Sequence, residues 1–292
     1  NSTLLPGKGS SVETETLKRL NGSVESNLSF NIRGSVALAY EIVKGLNLSA
    51  NVAMDFTQTQ KNAFDPSYLS SDNLSVSTGQ IEQYMMFQTE ELLNYKFDLK
   101  KNHHFDLLFG FTYSRWVKNE FSGSGKGSPS NDIHYVLDGF LTIDESTGYP
   151  IALQAYRSDS ERKMLVSGFG RIAYNYKQKY LTEFTLRKDG SSVFGKDVRW
   201  ATFPSVAVGW AYSEENFLKD IWWMSYGKLR ASWGRSGQQF DEAYLALGTL
   251  QIGGSFMGNV GVRPETLSNT RLSWEETDQY DIGLDLDMFE YR

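Results

Sequence analysis

The stretch GSSVFGK, residues 190–196, has the glycine and lysine spacing of a phosphate-binding loop. Such a loop needs a helix after it, whose amides hold the phosphates, and a Ser or Thr after the lysine to bind Mg²⁺. Asp197 stands at that position, and the residues that follow, VRWATFPSVAVGWAY, alternate like a strand. The sequence therefore argues against a nucleotide site.

Other residues that could bind a metal or catalyse a reaction do not converge either. His103 and His104 are adjacent, so on a strand they point to opposite faces and cannot share a metal ion. Asp281, Asp285 and Asp287 share one face, but a glycine interrupts the row, and a hydrated polar wall is a better interpretation than a calcium site. No Ser, His and Asp set can be argued to form a triad. We expect no cofactor, no metal and no enzymatic activity.

Composition excludes several classes of protein. The 292 residues contain no cysteine, which rules out disulfide scaffolds, thiolate metal sites and cysteine nucleophiles. A net charge of −6 leaves no basic footprint, so no nucleic-acid partner is expected. No apolar run is long enough for a membrane helix, and the first residues, NSTLLPGKGSS, do not have the pattern of a signal peptide. A membrane β-barrel fits, because its strands alternate and never look hydrophobic on average.

Apolar residues recur at every second position over residues 28–40, and again over 46–56 after a turn at Lys44-Gly45. This period of two predicts a β-hairpin. The same period predicts two further hairpins and three further strands, over residues 93–113, 164–186, 200–211, 227–234 and 274–289. The sequence therefore predicts an all-β protein of at least nine strands.

The connections alternate in length. Short turns near residues 44, 101 and 178 alternate with long polar segments over 58–90, 117–160 and 235–273. The strands alternate for about a dozen residues, against about 5 to 6 in globular sheets. Trp200 and Trp210 share a face, roughly 25 Å apart along a membrane normal. These features favour an antiparallel up-and-down transmembrane β-barrel over a soluble sandwich.

Three blocks in the C-terminal half carry a family resemblance. They are YLTEFTLRKDGSSVFGKDVRWATFPSVAVGWAYSEENFLKD, then KLRASWGRSGQQ, then LSWEETDQYDIGLDLDMFEYR. In this order and at these separations they resemble the barrel of SusC/RagA-type TonB-dependent transporters of Bacteroidetes. The resemblance covers about residues 165–292, while residues 1–164 agree in hairpin pattern more than in individual residues.

The resemblance implies an outer-membrane barrel of about 22 strands, of which this chain supplies about 9 to 10. Residues 1–292 are then a partial barrel domain, and we expect the plug domain and the signal peptide to lie outside this chain. It also implies import of large nutrients, oligosaccharides or else peptides, with a SusD-like surface lipoprotein as lid. The TonB complex would act through the missing N-terminal part, and outer-membrane lipid would surround the barrel.

Within this barrel the quoted stretch is predicted to be a surface-exposed loop tip, with Asp189-Gly190 supplying the turn. Trp222 and Trp223 fall at the short-turn end, where interfacial anchoring is a better interpretation than sugar stacking. Aromatic residues of the long-loop end are the candidates for substrate contact. These are Tyr135, Tyr149, Tyr156, Phe240, Tyr244 and Phe256.

One alternative stays open from the sequence. A complete, passive or structural outer-membrane barrel of eight to ten strands would show the same alternation of faces and of connection lengths. Such a barrel would pair its first strand with its last. The alternation therefore predicts the fold class, while active transport rests on the resemblance.

Overall fold

A nine-stranded antiparallel sheet dominates the computed structural model, which describes residues 22–135, 141–143, 150–152, 154–218, 222–257 and 259–289. In chain order the strands are β1 (Val24–Val43), β2 (Leu46–Asp65), β3 (Val76–Leu99), β4 (His103–Lys126), β5 (Leu141–Ile143), β6 (Pro150–Ala152), β7 (Gln154–Tyr176), β8 (Tyr180–Ser191), β9 (Trp200–Trp210), β10 (Met224–Gln238), β11 (Leu250–Phe256), β12 (Asn259–Pro264) and β13 (Glu275–Met288).

The order of pairing follows the chain. The large sheet runs β1-β2-β3-β4-β7-β8-β9-β10-β13, and β5-β6 and β11-β12 form separate two-stranded sheets. Two short 3₁₀ turns, Ser67–Leu69 and Tyr212–Glu214, lie in the connections. Among the described residues, no helix has the length and apolar character needed to cross a membrane. The predicted all-β meander of nine strands is confirmed.

The short turns lie where the sequence predicted them, between β1 and β2, between β3 and β4, and between β7 and β8. Gly45 has φ of 84°, and a Cβ there would lie 2.3 Å from the Lys96 carbonyl oxygen. Glycine is therefore required at this turn, because it allows positive φ and close backbone approach. Lys177 and Gln178 adopt φ of 53° and 58°, the pair of positive angles that a tight hairpin turn uses.

The long polar segments are shorter than predicted, because strands extend into them. β2 continues to Asp65 and β3 begins at Val76, inside the segment 58–90 that was predicted to be a connection. β4 likewise runs to Lys126, and β7 begins at Gln154. In these extensions the amide of Gln83 donates to Gln58 at 2.9 Å, so polar residues pair across neighbouring strands. Apolar alternation occurs only where a strand contacts lipid, whereas the hydrogen-bond ladder continues beyond the lipid. The alternation therefore predicted strands that are too short.

The prediction that Asp189-Gly190 forms a turn is wrong. Both residues lie inside β8, where Asp189 pairs with Ser167 of β7 and with Ala201 of β9. Asp189 is 7% exposed, and its two carboxylate oxygens accept from Arg187 Nε at 2.8 Å. The ladder and the ion pair together satisfy the groups that a turn would have left to solvent.

The prediction of an exposed loop tip is right for Lys196 and Asp197 but wrong for the residues before them. Val193 and Phe194, in the connection 192–199, are each 1% exposed. The Phe194 ring lies 4.8 Å from Trp274 and 5.9 Å from Phe240, measured between centroids. Trp274 Nε1 also donates to the Arg199 carbonyl at 3.1 Å. The connection is therefore covered by residues of the segment between β10 and β13, and we call this packed region the loop core.

The contacts divide the chain into two compact units. Unit 1 comprises Asn1–Arg33, Asp55–Met85 and Val117–Glu161, and unit 2 comprises Gly34–Met54, Met86–Trp116 and Arg162–Arg292. In unit 1 the buried ring of Phe64 packs on His134 at 4.6 Å. In unit 2 the buried apolar residues include those of the loop core and its neighbours. These are Val193, Phe194, Ala201, Phe203, Ala211, Ala243 and Ala246.

We expect Phe194→Ala to loosen the loop core. Removing a buried phenyl ring leaves a cavity and costs about 3 to 5 kcal/mol where the surroundings cannot collapse. In the full-length protein, amide hydrogen exchange over residues 192–199 should speed up by about a hundredfold or more. Lys196→Ala, at an exposed position of the same connection, is the matched control. Equal protection from amide exchange in the two variants would show that the Phe194 ring does not hold the loop core together.

Candidate functional site

One face of the sheet in unit 2 is apolar and exposed. Leu229 of β10 pairs with Trp210 of β9 and with Leu284 of β13, and paired residues share a face. Ile282, on the same face, is 89% exposed. The exposed apolar residues of β8, β9, β10 and β13 are Tyr180, Phe184, Leu186, Trp200, Val206, Val208, Trp210, Leu229, Tyr280, Ile282, Leu284, Leu286 and Met288. Exposed apolar surface of this extent is stable only against lipid or another apolar partner.

An ion pair marks the upper limit of this apolar face. Trp233 pairs with Tyr280, and two residues further toward the long-loop end Arg235 pairs with Asp278 on the same face. Arg235 Nε and Nη2 donate to the Asp278 carboxylate at 2.9 and 3.0 Å. A bidentate pair on this face fits the headgroup region better than hydrocarbon. The aromatic residues Trp233 and Tyr280 then lie where an aromatic girdle is expected.

The opposite face carries a charge network in unit 2. The Asp106 carboxylate accepts a hydrogen bond from Asn94 Nδ2 at 2.7 Å. Lys96 Nζ and Arg171 Nη2 each lie 3.5 Å from its oxygens. Arg171 Nη1 also lies 3.9 Å from Glu183 Oε2. One carboxylate thus joins residues of β3, β4 and β7, and Arg171 extends the network to β8.

The polar face continues onto β10 and β13. Arg230 Nη2 lies 3.2 Å from Asp285 Oδ1, and the register places Lys228 opposite Asp285. Asp281 and Gly283 line a groove of about 810 Å³ on this face. Asp281, Asp285 and Asp287 of β13 therefore alternate with the apolar residues as predicted. Cations of β10 face them, which supports the hydrated polar wall over a calcium site.

Unit 1 has its own polar groove. Arg33 Nη2 lies 2.7 Å from Asp55 Oδ2 on this unit's polar face, and Asn31 Nδ2 donates to Thr57 Oγ1 at 2.6 Å. A groove of about 570 Å³ has hydroxyl, amide and cationic lining residues. They include Lys61, Gln80, Ser122, Ser124 and Arg157. Such groups offer hydrogen bonds in both directions to a polar ligand.

Two of the predicted contact residues belong to unit 1. Tyr135 and Tyr156 are 70% and 83% exposed, and Tyr156 also borders the groove of that unit. Tyr149 lies outside the described residues. Both described rings are therefore open to a ligand.

Three others belong to unit 2. Phe240 packs against Phe194 in the loop core, and the Tyr244 hydroxyl accepts from the Arg162 amide at 3.2 Å. Phe256 ends β11, where its backbone pairs with Asn259. The sequence did not indicate that one of these rings would serve to pack a loop.

His103 and His104 point to opposite faces, as predicted. His103 Nδ1 lies 2.8 Å from the Tyr174 hydroxyl, and His104 Nδ1 lies 2.5 Å from Asp98 Oδ1. Within the described part of the chain, no group of three or more His, Cys, Asp or Glu side chains could hold a metal ion. Each imidazole therefore contributes a structural contact between strands or along one hairpin.

Trp222 and Trp223 lie just before β10, at the short-turn end. Trp222 is 83% exposed and its ring packs on Phe289 at 5.8 Å. The Phe289 amide donates to the Trp223 carbonyl at 3.0 Å. Their position at this end agrees with interfacial anchoring, which stays a prediction.

The sheet, its two faces and its alternating connections match a known family. The profile described as "TonB dependent receptor-like, beta-barrel" matches residues 7–291. The chain belongs to this family. Its members are outer-membrane β-barrels, so the apolar face of this TonB-dependent receptor segment lies against lipid. They are transporters and not enzymes, which confirms on family grounds the expectation that the chain has no enzymatic activity.

Individual relatives agree with this. TonB-dependent receptor P39 of Formosa agariphila is 29% identical over 282 residues, which cover 94% of this chain and 26% of that protein. TonB-dependent receptor SusC of Bacteroides thetaiotaomicron is 32% identical over 266 residues, covering 86% of this chain and 25% of that protein. The chain thus spans about a quarter of the length of these relatives.

The fold agrees as well. A structure of the RagAB peptide transporter matches with a TM-score of 0.81 at 23% identity, over 93% of this chain and 29% of that chain. Together with the match to SusC, this confirms the resemblance to the SusC/RagA type and the predicted fold class.

The facing of β13 can be tested by cysteine labelling, because the chain has no cysteine of its own. In the full-length barrel, single cysteines at Asp281 and Asp285 should react with a water-soluble maleimide, while those at Ile282 and Leu284 should be protected by lipid. A Cβ at Gly283 would lie 2.5 Å from Arg230 Nε, so that position is left unchanged. Equal labelling at odd and even positions would contradict the assignment of faces.

Proposed function

We propose that this chain is a partial barrel domain of an outer-membrane active transporter that imports large nutrients. The observation that carries the proposal is a charged, hydrogen-bonding face on the same strands whose other face is apolar and exposed. Such a wall encloses a water-filled path across lipid. Membership in the TonB-dependent receptor family makes transport the function that such a wall serves.

Oligosaccharides are the proposed cargo, and peptides are the alternative. The unit 1 groove offers the hydroxyls of Ser122 and Ser124 and the amide of Gln80, which suit the many hydroxyls of a sugar chain. The exposed rings of Tyr135 and Tyr156 add apolar surface for stacking. Peptides stay in view because the similar RagAB assembly is described as a peptide transporter.

The remaining predicted aromatic contacts keep the same proposed role. We expect Tyr149, Tyr244 and Phe256 to contact substrate from the long-loop end. Phe240 acts differently in our proposal, since its ring packs on Phe194 and fixes the shape of the loop core. Its effect on substrate is then indirect.

Two partners complete the proposed transporter. A SusD-like surface lipoprotein would cover the long-loop end, where the connections 127–153 and 239–274 lie. The TonB complex would supply energy through a part of the protein outside this chain. An energy source is required, because a channel wide enough for an oligosaccharide cannot by itself concentrate it.

Uptake measurements test this function in the full-length transporter. Uptake of a labelled oligosaccharide or peptide should require TonB, and Gln80→Ala should weaken it about threefold to tenfold, since one hydrogen bond to the substrate is lost. Gln83→Ala is the control, because Gln83 lies on the same strand and bonds Gln58 instead. Undiminished uptake without TonB would reject active transport and favour the small passive barrel. Equal effects of the two substitutions would contradict substrate binding in the unit 1 groove, but would not contradict TonB-dependent transport.

A further inference from the structure

Lysines recur at the tips of the short turns. Lys44 lies in the turn between β1 and β2, Lys100 and Lys101 lie between β3 and β4, and Lys177 lies between β7 and β8. All four belong to unit 2 and are exposed. We call them the lysine rim. Three separate hairpins thus carry a cation at the same end of their strands.

Backbone hydrogen bonds tie these turns to their neighbours. The Lys96 amide donates to the Gly45 carbonyl at 2.9 Å, and the Lys177 amide donates to the Asn102 carbonyl at 2.8 Å. The Ala211 amide similarly donates to the Lys179 carbonyl at 2.8 Å. Each turn is therefore fixed beside the next strand or turn. The positions of the rim lysines are therefore set by hydrogen bonds between neighbouring turns and strands, at one end of the strands.

Three of the described carboxylates at this end of the strands already accept hydrogen bonds within the protein. Asp98 contacts His104 at 2.5 Å, and Glu41 accepts from the Gly45 amide at 3.0 Å. Glu215 accepts from the Tyr180 hydroxyl at 2.6 Å and from Lys179 Nζ at 3.1 Å.

Hydrogen bonds from Tyr180, Lys179 and Trp210 lower the pKa of Glu215 to about 2, so it stays charged and bound to Lys179 at neutral pH. Among the described residues, no ion pair joins a carboxylate to a lysine of the rim. The ammonium groups of the rim are therefore available to an external anion.

Aromatic rings lie next to the rim on the apolar face. Tyr95 and Phe97 lie 4.9 Å apart, Phe97 and Phe105 lie 5.0 Å apart, and Phe105 and Tyr174 lie 4.9 Å apart. Lys177 Nζ lies 5.2 Å from the centre of the Tyr176 ring. A belt of aromatic rings marks the depth at which a membrane changes from hydrocarbon to headgroups. The rim lysines, one step beyond this belt, then lie at the depth of lipid phosphates.

We propose that the lysine rim binds the headgroups of anionic phospholipids in the leaflet at the short-turn end. An ammonium offers three donors, and its flexible stem can follow the membrane surface to reach a phosphate. We expect the rim to prefer anionic phospholipids, which carry a net negative charge. In a zwitterionic phospholipid the positive group of the headgroup repels the lysine ammonium groups. The rim thereby fixes the depth of the barrel in the membrane. This site lies apart from the polar face that carries the proposed transport.

Native mass spectrometry of the purified full-length transporter, titrated with phosphatidylglycerol or phosphatidylcholine, tests this site. Each lysine near an anionic surface should contribute about fivefold in affinity, so K100Q/K101Q should weaken phosphatidylglycerol binding about tenfold or more. Phosphatidylcholine binding should not change. Raising the ionic strength should reduce the preference for phosphatidylglycerol, because salt screens exposed charges.

The double variant K126Q/K196Q is the matched control, since it removes the same charge at exposed positions outside both the rim and the unit 1 groove. It should bind phosphatidylglycerol like the unchanged protein. Equal affinity of the unchanged protein for the two lipids would overturn the proposal. So would a loss of phosphatidylglycerol binding in the control as large as in K100Q/K101Q. Circular dichroism and heat modifiability confirm that each variant keeps its barrel, and K44Q/K177Q provides a second rim variant in case K100Q/K101Q does not fold.

Discussion

Backbone hydrogen bonding is the constraint on which this structure depends. In lipid an unpaired amide or carbonyl has no water to bind, so each strand must be paired along its whole membrane-spanning length. The register between β7, β8 and β9 meets this demand without a break from Tyr180 to Gly190. Once the ladder is fixed, alternation decides which side chains face lipid and which face water. Both the apolar face and the charge network follow from that single ladder.

The alternation is also what made the fold predictable. Ile282, Leu284 and Leu286 alternate with Asp281 and Asp285, and this pattern alone gave both the strand and its facing. The pattern failed where lipid contact ends. Around Gln58 both faces are polar, so the ladder persists there without the periodicity that would reveal it. A sequence pattern of this kind indicates whether each face of a strand contacts lipid or water. It indicates the pairing of the backbone only indirectly.

Contacts distant in sequence explain what else was missed. Phe194 looked like part of a loop tip because nothing near it in the chain covers it, yet Trp274 and Phe240 bury it. In the same way, alternation along single strands could not say that Asp106 and Arg171 would meet at 3.5 Å. Local propensity identified the elements, while the register between strands determined the site. The candidate aromatic residues were chosen from loop position alone, which explains why Phe240 turned out to pack a loop.

The two ends of the strands in unit 2 answer different physical demands. At the short-turn end the connections are tight and expose few side chains. The charge of the residues at the turn tips is therefore the main property of this surface that the sequence can change. At the long-loop end the connection 192–199 cannot rely on the ladder and instead gains order from apolar burial around Phe194. A binding surface needs such order, because a loop that must be fixed on each binding event loses affinity through its conformational entropy. A loop core outside the lipid therefore suits the proposed recognition of substrate, while the ladder supplies the stability of the barrel.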